Sequence, residues 1–194
     1  MNNSHPKGLT TLFFTEMWER MSYYGMRGIL VLFMTASITE NGLNMDPVTA
    51  SAIYGIYASL VYLVTLPGGW IADRILGQQR SILYGGIIIM FGHFLLAMPS
   101  GNVFYLGLSF VVIGTGLLKP NISALVGALY DENGGNRESG FTIFYMAINI
   151  GSILGFFICG YLGENIGWHY GFSAAGFGML LGLVQFIYLR KYLG

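Results

Sequence analysis

The chain has 194 residues, 54% hydrophobic and only 9% charged, with nine Lys and Arg balancing nine Asp and Glu. Soluble domains carry about 25% charged residues, so this composition, with a mean hydropathy of +0.61, excludes an ordinary water-soluble domain and places the chain in lipid. Zero net charge argues against a nucleic-acid partner, and the single Cys159 can make neither an intrachain disulfide nor a cysteine metal cluster.

A membrane helix needs about 20 apolar residues. Six stretches qualify, near 11–37, 48–72, 80–98, 103–129, 139–162 and 169–189. They predict an all-α membrane protein, a six-transmembrane-helix bundle forming one domain over 1–194. The opening MNNSHPKG lacks a cleavable-signal pattern, so span 1 reads as retained. The breaks carry turn chemistry: TENGLNMDP, DRILGQQR, PSGN, DENGGNRE and ENIGWHYG. Within the first of these, Asp46-Pro47 reads as an N-cap followed by proline at the first helical position.

Span 1 holds the anomaly. TEMWERMSYYGMRG, residues 15–28, carries Glu16, Glu19, Arg20 and Arg27 inside an apolar run. At about 100° per residue, Glu16, Arg20, Tyr23 and Arg27 fall on one face, flanked by Glu19 and Tyr24. Leu12, Phe13, Met17, Met21 and Leu30 form the opposite, apolar face. One charge at mid-bilayer costs at least about 2.5 kcal/mol. Four would insert poorly unless they face protein or water, so the wedge lines a bundle interior or an aqueous cavity. Glu16 and Arg20 are also spaced to pair along the helix, and a purely structural ion-pair network is the competing reading.

In span 2, Tyr62 alone reads as a packing or interfacial tyrosine. Asp73, Arg74 and Arg80 follow in the next loop, where the arginines serve orientation. His93 in span 3 reads as a hydrogen-bonded structural histidine, with a proton relay as the alternative. Span 4 carries Lys119 before Pro120, which has no N–H and frees a backbone carbonyl. A lysine beside such a break suggests a cavity wall; snorkelling to the interface is the alternative. Asn121-Ile-Ser123 fits a glycosylation pattern by chance inside a membrane segment. Asn149 in span 5 alone reads as interhelical glue, and Gly151 and Gly155 form a GxxxG for close helix contact. His169 beside Trp168 reads as an interface anchor.

Lys7, Arg74, Arg80, Arg137, Arg190 and Lys191 fall before span 1, in loops 2–3 and 4–5, and after span 6, and none falls in the alternate loops. That asymmetry predicts cytoplasmic termini; a soluble helical protein would not segregate charge this way. The in-span charges, Glu16 and Glu19 against Arg20, Arg27 and Lys119, leave one cation in surplus. Such a cavity suits a ligand bearing a carboxylate. Protonating one glutamate widens the surplus, so a proton and an anion favour each other's binding. This is the electrostatic core of a proton-coupled symporter.

Four motifs in order resemble the proton-dependent oligopeptide transporter family of the major facilitator superfamily: ExxERxxYY at Glu16–Tyr24, GGWIADRILGQQR, GTGLLKPN, and FYMAINIG at Phe144–Gly151. The family usually has Phe where this chain has Met21, a swap of one bulky apolar residue for another. The resemblance covers nearly the whole chain and implies one half of that superfamily's fold, in the cell (plasma) membrane, with proton-coupled symport of di- and tripeptides. It implies a proton-coupling set of Glu16, Glu19, Arg20 and Lys119, with Lys119 paired to the carboxylates until a proton releases it. It implies substrate contacts from Tyr23, Tyr24, Arg27, Tyr62, Lys119 and Asn149, and a gate clamp from Asp73, Arg74 and Arg80. It needs no cofactor or metal.

Such transporters have two halves, so the expected partner is a C-terminal six-helix half, and the chain alone is expected to be inactive. The rivals are a carrier of another anion such as nitrate within the same family, and a non-transporting membrane partner subunit. No metal-ligand spacing or nucleophile elbow points to an enzyme.

Overall fold

The computed structural model describes residues 5–99, 101–131 and 136–194. The initial MNNS and parts of the predicted turns PSGN and DENGGNRE lie outside the described residues. Seven α-helices and no strand occur among the described residues: α1 Lys7–Thr35, α2 Pro47–Leu63, α3 Thr65–Ile71, α4 Gln78–Leu96, α5 Gly101–Ala128, α6 Arg137–Asn165 and α7 Trp168–Leu189. Each predicted span matches one helix, or the α2–α3 pair, to within four residues at either end. As expected, Asp46 caps α2, accepting from the Thr49 N–H at 3.0 Å, with Pro47 at the first helical position.

Five segments are long and apolar enough to cross a membrane: Pro47–Leu76, Gln78–Leu96, Gly101–Ala128, Arg137–Asn165 and Trp168–Tyr192. The 29-residue α1 is long enough but too charged to count by apolarity. Its position resolves the conflict. Leu12, Met17, Met21 and Leu30 on its apolar side are buried, and so are Glu16, Glu19 and Arg20 on its polar side. α1 is the central helix, clasped chiefly by α6 and α7, so protein rather than lipid surrounds its charges.

The second span breaks where the sequence predicts no break. Pro67 offers no N–H to the Leu63 carbonyl and its ring crowds that residue, so α2 stops at Leu63 and α3 restarts at Thr65. The Thr65 hydroxyl donates to the Tyr62 carbonyl at 2.5 Å beside the break. A π-helical turn, Ala72–Leu76, then leads to Gly77, whose φ of +79° suits glycine. Pro120 acts differently: α5 runs through it unbroken. The carbonyl it deprives of a partner is that of Gly116, and Gly68 of α3 lies against that oxygen so closely that a Cβ would overlap it. The freed carbonyl is covered by a bare Cα and does not open into a cavity.

Glycines set the helix contacts. Between α4 and α5, a Cβ on Gly85 would come within 2.7 Å of the Gly114 oxygen, and one on Gly114 within 2.6 Å of the Gly85 oxygen. Gly92 and Gly107 repeat the pattern seven residues on, so the two helices run antiparallel along a glycine seam. Between α1 and α6, Gly151 meets the Met17 carbonyl, Gly155 the Met21 carbonyl and Gly25 the Cys159 sulfur. The numbers rise together, so these helices are parallel, and the predicted GxxxG is their crossing point. Small residues let membrane helices approach at backbone distance; here they press α6 against the turn of α1 that carries Arg20.

Candidate functional site

The polar face of α1 divides into a buried knot and an open mouth. In the knot, the Arg20 Nε lies 3.1 Å from Glu16 Oε1 and donates to Glu19 Oε2. Glu16 is 3%, Glu19 0% and Arg20 3% exposed. Glu16 Oε2, Glu19 Oε1 and Arg20 Nη2 have no hydrogen-bond partner among the described residues. Two carboxylates share one guanidinium, so the knot holds one negative charge in excess when both are ionised. An uncompensated buried charge is costly, and a proton is the smallest thing that removes it.

α1 is held in register from behind. Gln185 of α7 accepts from the Thr15 hydroxyl at 3.1 Å and donates to the Thr11 carbonyl at 3.3 Å, one turn before the knot. The Ser22 hydroxyl donates to the Glu19 carbonyl at 2.8 Å. Neither contact brings a charge.

The mouth begins one turn further along α1. Tyr23 is buried, with its ring 5.1 Å from the Arg20 guanidinium carbon and 5.3 Å from the ring of half-buried Tyr24. Arg27, eleven residues and about 16 Å of helix beyond Glu16, is half-buried. Its Nε donates to the Tyr54 hydroxyl and its guanidinium carbon sits 5.2 Å from that ring. Lys119 of α5 is also half-buried, its Nζ 4.4 Å from the centre of the Tyr62 ring.

The pairing of Lys119 with the carboxylates, which the resemblance implies, is not formed. Arg20 makes both ion pairs among the described residues, and Lys119 makes none. Each mouth cation is held on an aromatic face instead, a contact worth about 0.5–2 kcal/mol that neutralises no charge. Both remain available to an anion.

Of the other expected positions, Tyr62 meets the mouth only by carrying Lys119 on its ring. Tyr62 is 60% exposed. Asn149 is exposed on α6 and donates to the Tyr145 carbonyl of its own helix at 3.5 Å, so it is not interhelical glue within this bundle. Asp73 and Arg74 lie exposed on the π-helical turn and Arg80 on the first turn of α4, with no ion pair among them. His93 is fully buried with neither ring nitrogen partnered among the described residues, unlike the hydrogen-bonded histidine expected. Asn121 is buried and donates to the Leu117 carbonyl at 2.6 Å. Sequence reasoning missed Tyr54 and Tyr57, which sit three apart in IYGIYASLVY and so share a face of α2. It also missed Gln185.

A six-span bundle with ionisable groups knotted at its centre is a multi-pass membrane protein of transporter type, one half of a major facilitator superfamily fold. A solved peptide transporter in complex with alafosfalin superposes with a TM-score of 0.95 at 49% identity, over 98% of this chain and 40% of that one. The profile of PTR2, the POT family, matches residues 79–192, and the chain belongs to that family. The uncharacterized transporter YclF of Bacillus subtilis is 53% identical over 96% of this chain and 38% of its own length. A di-/tripeptide transporter of Lactococcus lactis is 48% identical over 95% and 38%. The chain thus spans under two fifths of the length of these curated relatives.

Proposed function

We propose that this chain is the N-terminal bundle, 1–194, of a carrier rather than an enzyme, and that with a C-terminal six-helix half it performs proton-coupled symport of di- and tripeptides. The observation that carries the proposal is the split between knot and mouth. The knot of Glu16, Glu19 and Arg20 is short of one positive charge and has free carboxylate oxygens. The mouth offers two cations, Arg27 and Lys119, that no carboxylate among the described residues neutralises. A proton fits the first and a peptide carboxylate the second, and each reduces the electrostatic cost of the other.

In this reading Glu16, Glu19 and Arg20 exchange the proton, and Lys119 moves between Tyr62 and an anion. Arg27 and Lys119 hold the peptide carboxylate, while Tyr23, Tyr24, Tyr62 and Asn149 line its path. The exposure of Tyr62 and Asn149 fits walls completed by the other half. Asp73, Arg74 and Arg80 clamp the gate against that half. The segregated lysines and arginines put both termini in the cytoplasm of a cell carrying this protein in its plasma membrane. Two free cations also suit a smaller anion such as nitrate, which makes anion transport the second reading.

The test is reconstitution of the full-length carrier in liposomes, with dipeptide uptake driven by a proton gradient and nitrate as competitor. Glu19→Gln and Lys119→Ala are expected to abolish gradient-driven uptake while peptide counterflow persists. Nitrate uptake without peptide uptake supports the second reading, and no solute-coupled proton flux at all sinks both.

A further inference from the structure

Ala50, Tyr54, Tyr57 and Val61 recur at helical spacing and form one face of α2. Ala50, Tyr57 and Val61 are buried, and Tyr54 is half-buried and packed against the same core cluster. Tyr54 is the member of this face whose hydroxyl bonds a charged group. Its oxygen accepts from the Nε–H of Arg27, and its ring centre lies 5.2 Å from the guanidinium carbon. Hydroxyl and ring thus hold one guanidinium by two contacts, across the gap between α1 and α2.

Neither contact cancels the charge. A carboxylate in the place of the phenol would grip Arg27 more firmly and spend its attraction for an anion. Arg20 shows that outcome, with its Nε taken by Glu16 and Glu19. A guanidinium can meet a carboxylate by two forks: side-on, with Nε and one Nη, or end-on, with the two Nη groups. With Nε on Tyr54, the side-on fork of Arg27 is closed. Neither Nη group makes a hydrogen bond or ion pair among the described residues, so the end-on fork is the one presented. Lys119 cannot set a direction, because an ammonium is a point charge.

We propose that Tyr54 is a positioning residue for substrate recognition: by taking the Nε–H of Arg27 on its hydroxyl and the guanidinium on its ring, it fixes the end-on pair of Nη groups as the seat of the substrate carboxylate. An arginine loses much rotamer freedom when it grips a ligand. One that is already held loses less, and the carboxylate binds more tightly for it. Because Tyr54 stands on α2 and Arg27 on α1, the seat keeps its shape only while these two helices keep their spacing.

The inference rests on the reading of Arg27 as the seat of the peptide carboxylate. The purified full-length carrier is titrated, without a proton gradient, with a dipeptide and with the same dipeptide as its C-terminal amide. Dipeptide counterflow gives KM and the maximal rate. Tyr54→Phe keeps the ring and removes the accepting oxygen. It is expected to weaken dipeptide binding and raise KM by about three- to tenfold, the worth of one hydrogen bond, with the maximal rate and the binding of the amide unchanged. Tyr54→Leu removes the ring as well and should weaken dipeptide binding further. Arg27→Lys has no fork to present, so adding Tyr54→Phe to it should change nothing more.

Unmoved dipeptide binding in a Tyr54→Phe carrier that melts like the parent overturns the inference. So does an equal loss for dipeptide and amide, which would make Tyr54 an undirected wall of the site, and so does a full further loss on top of Arg27→Lys. A parent carrier that binds no dipeptide sinks the peptide reading instead. Nitrate, also planar and able to sit on the fork, then takes the dipeptide's place in the same variants: weaker nitrate binding in Tyr54→Phe upholds the inference, and unmoved binding overturns it.

Discussion

Arg20 is the residue on which the interior depends. Among the described residues it is the sole cation in ion-pair contact with two buried carboxylates. Removing one partner from a buried ionic group costs about 3–5 kcal/mol because the remaining charge is stranded, whereas replacing the whole group by neutral side chains is often harmless. Arg20→Met should therefore lower the melting temperature of the detergent-solubilised carrier steeply. The triple change Glu16→Gln, Glu19→Gln, Arg20→Met should recover most of the loss while remaining dead to proton-driven uptake. An Arg20→Met protein as stable as the parent would show that the knot is solvated.

Much of this residue-level picture is visible in TEMWERMSYYGMRG, because four charges at helical spacing inside an apolar run have few places to go. The partner of Lys119 is not visible. Whether an ammonium rests on Tyr62 or on Glu16 depends on rotamers and on which state the helices occupy, and neither leaves a mark in composition or period. Tyr54 and Tyr57 were hidden for a related reason. Among 13 tyrosines, spacing shows which share a face but not which face turns inward.

The elements are set by glycine and proline more than by hydrophobic period. An apolar run in a membrane protein carries little periodic contrast, so the six spans were legible from length alone, whereas the break at Val64 and the glycine seam depend on three-dimensional neighbours. The two prolines show the difference: the second span breaks just before Pro67, while α5 runs unbroken through Pro120, with Gly68 packed onto the carbonyl that Pro120 leaves free.

α6 provides a direct test of the glycine argument. A Cβ on Gly155 would overlap the Met21 carbonyl of α1, a backbone atom that cannot swing aside, whereas Gly160 has nothing within 4 Å. Gly155→Ala should push α1 from α6 and cost about 1–3 kcal/mol, as overpacking does. Gly160→Ala should be neutral or gain up to about 1 kcal/mol from helix propensity. Melting curves of the two variants decide it. Equal effects would mean the α1–α6 crossing is looser than described and that Arg20 is not held by it.

At the scale of the molecule, α2 presents a face on which the proposed C-terminal half would sit. Ser51, Gly55 and Ser59 recur every fourth residue on α2, all exposed, and a Cβ on Gly55 would meet nothing within 4 Å. Among the described residues that stripe stands open, yet small residues at this spacing serve close helix approach. The exposed Tyr62 follows it on the same helix, so a partner helix laid along α2 would also close the wall beside Lys119. Gly55→Trp should then leave the melting temperature of the separately expressed bundle unchanged. It should weaken recovery of the complex when residues 1–194 and the C-terminal half are co-expressed as two chains, by about tenfold if the clash costs near 1.4 kcal/mol. Peptide uptake by the two-chain carrier should fall in proportion. Full assembly with Gly55→Trp would place α2 against lipid, and the wall that completes the mouth would have to come from the face of α6 that carries Asn149.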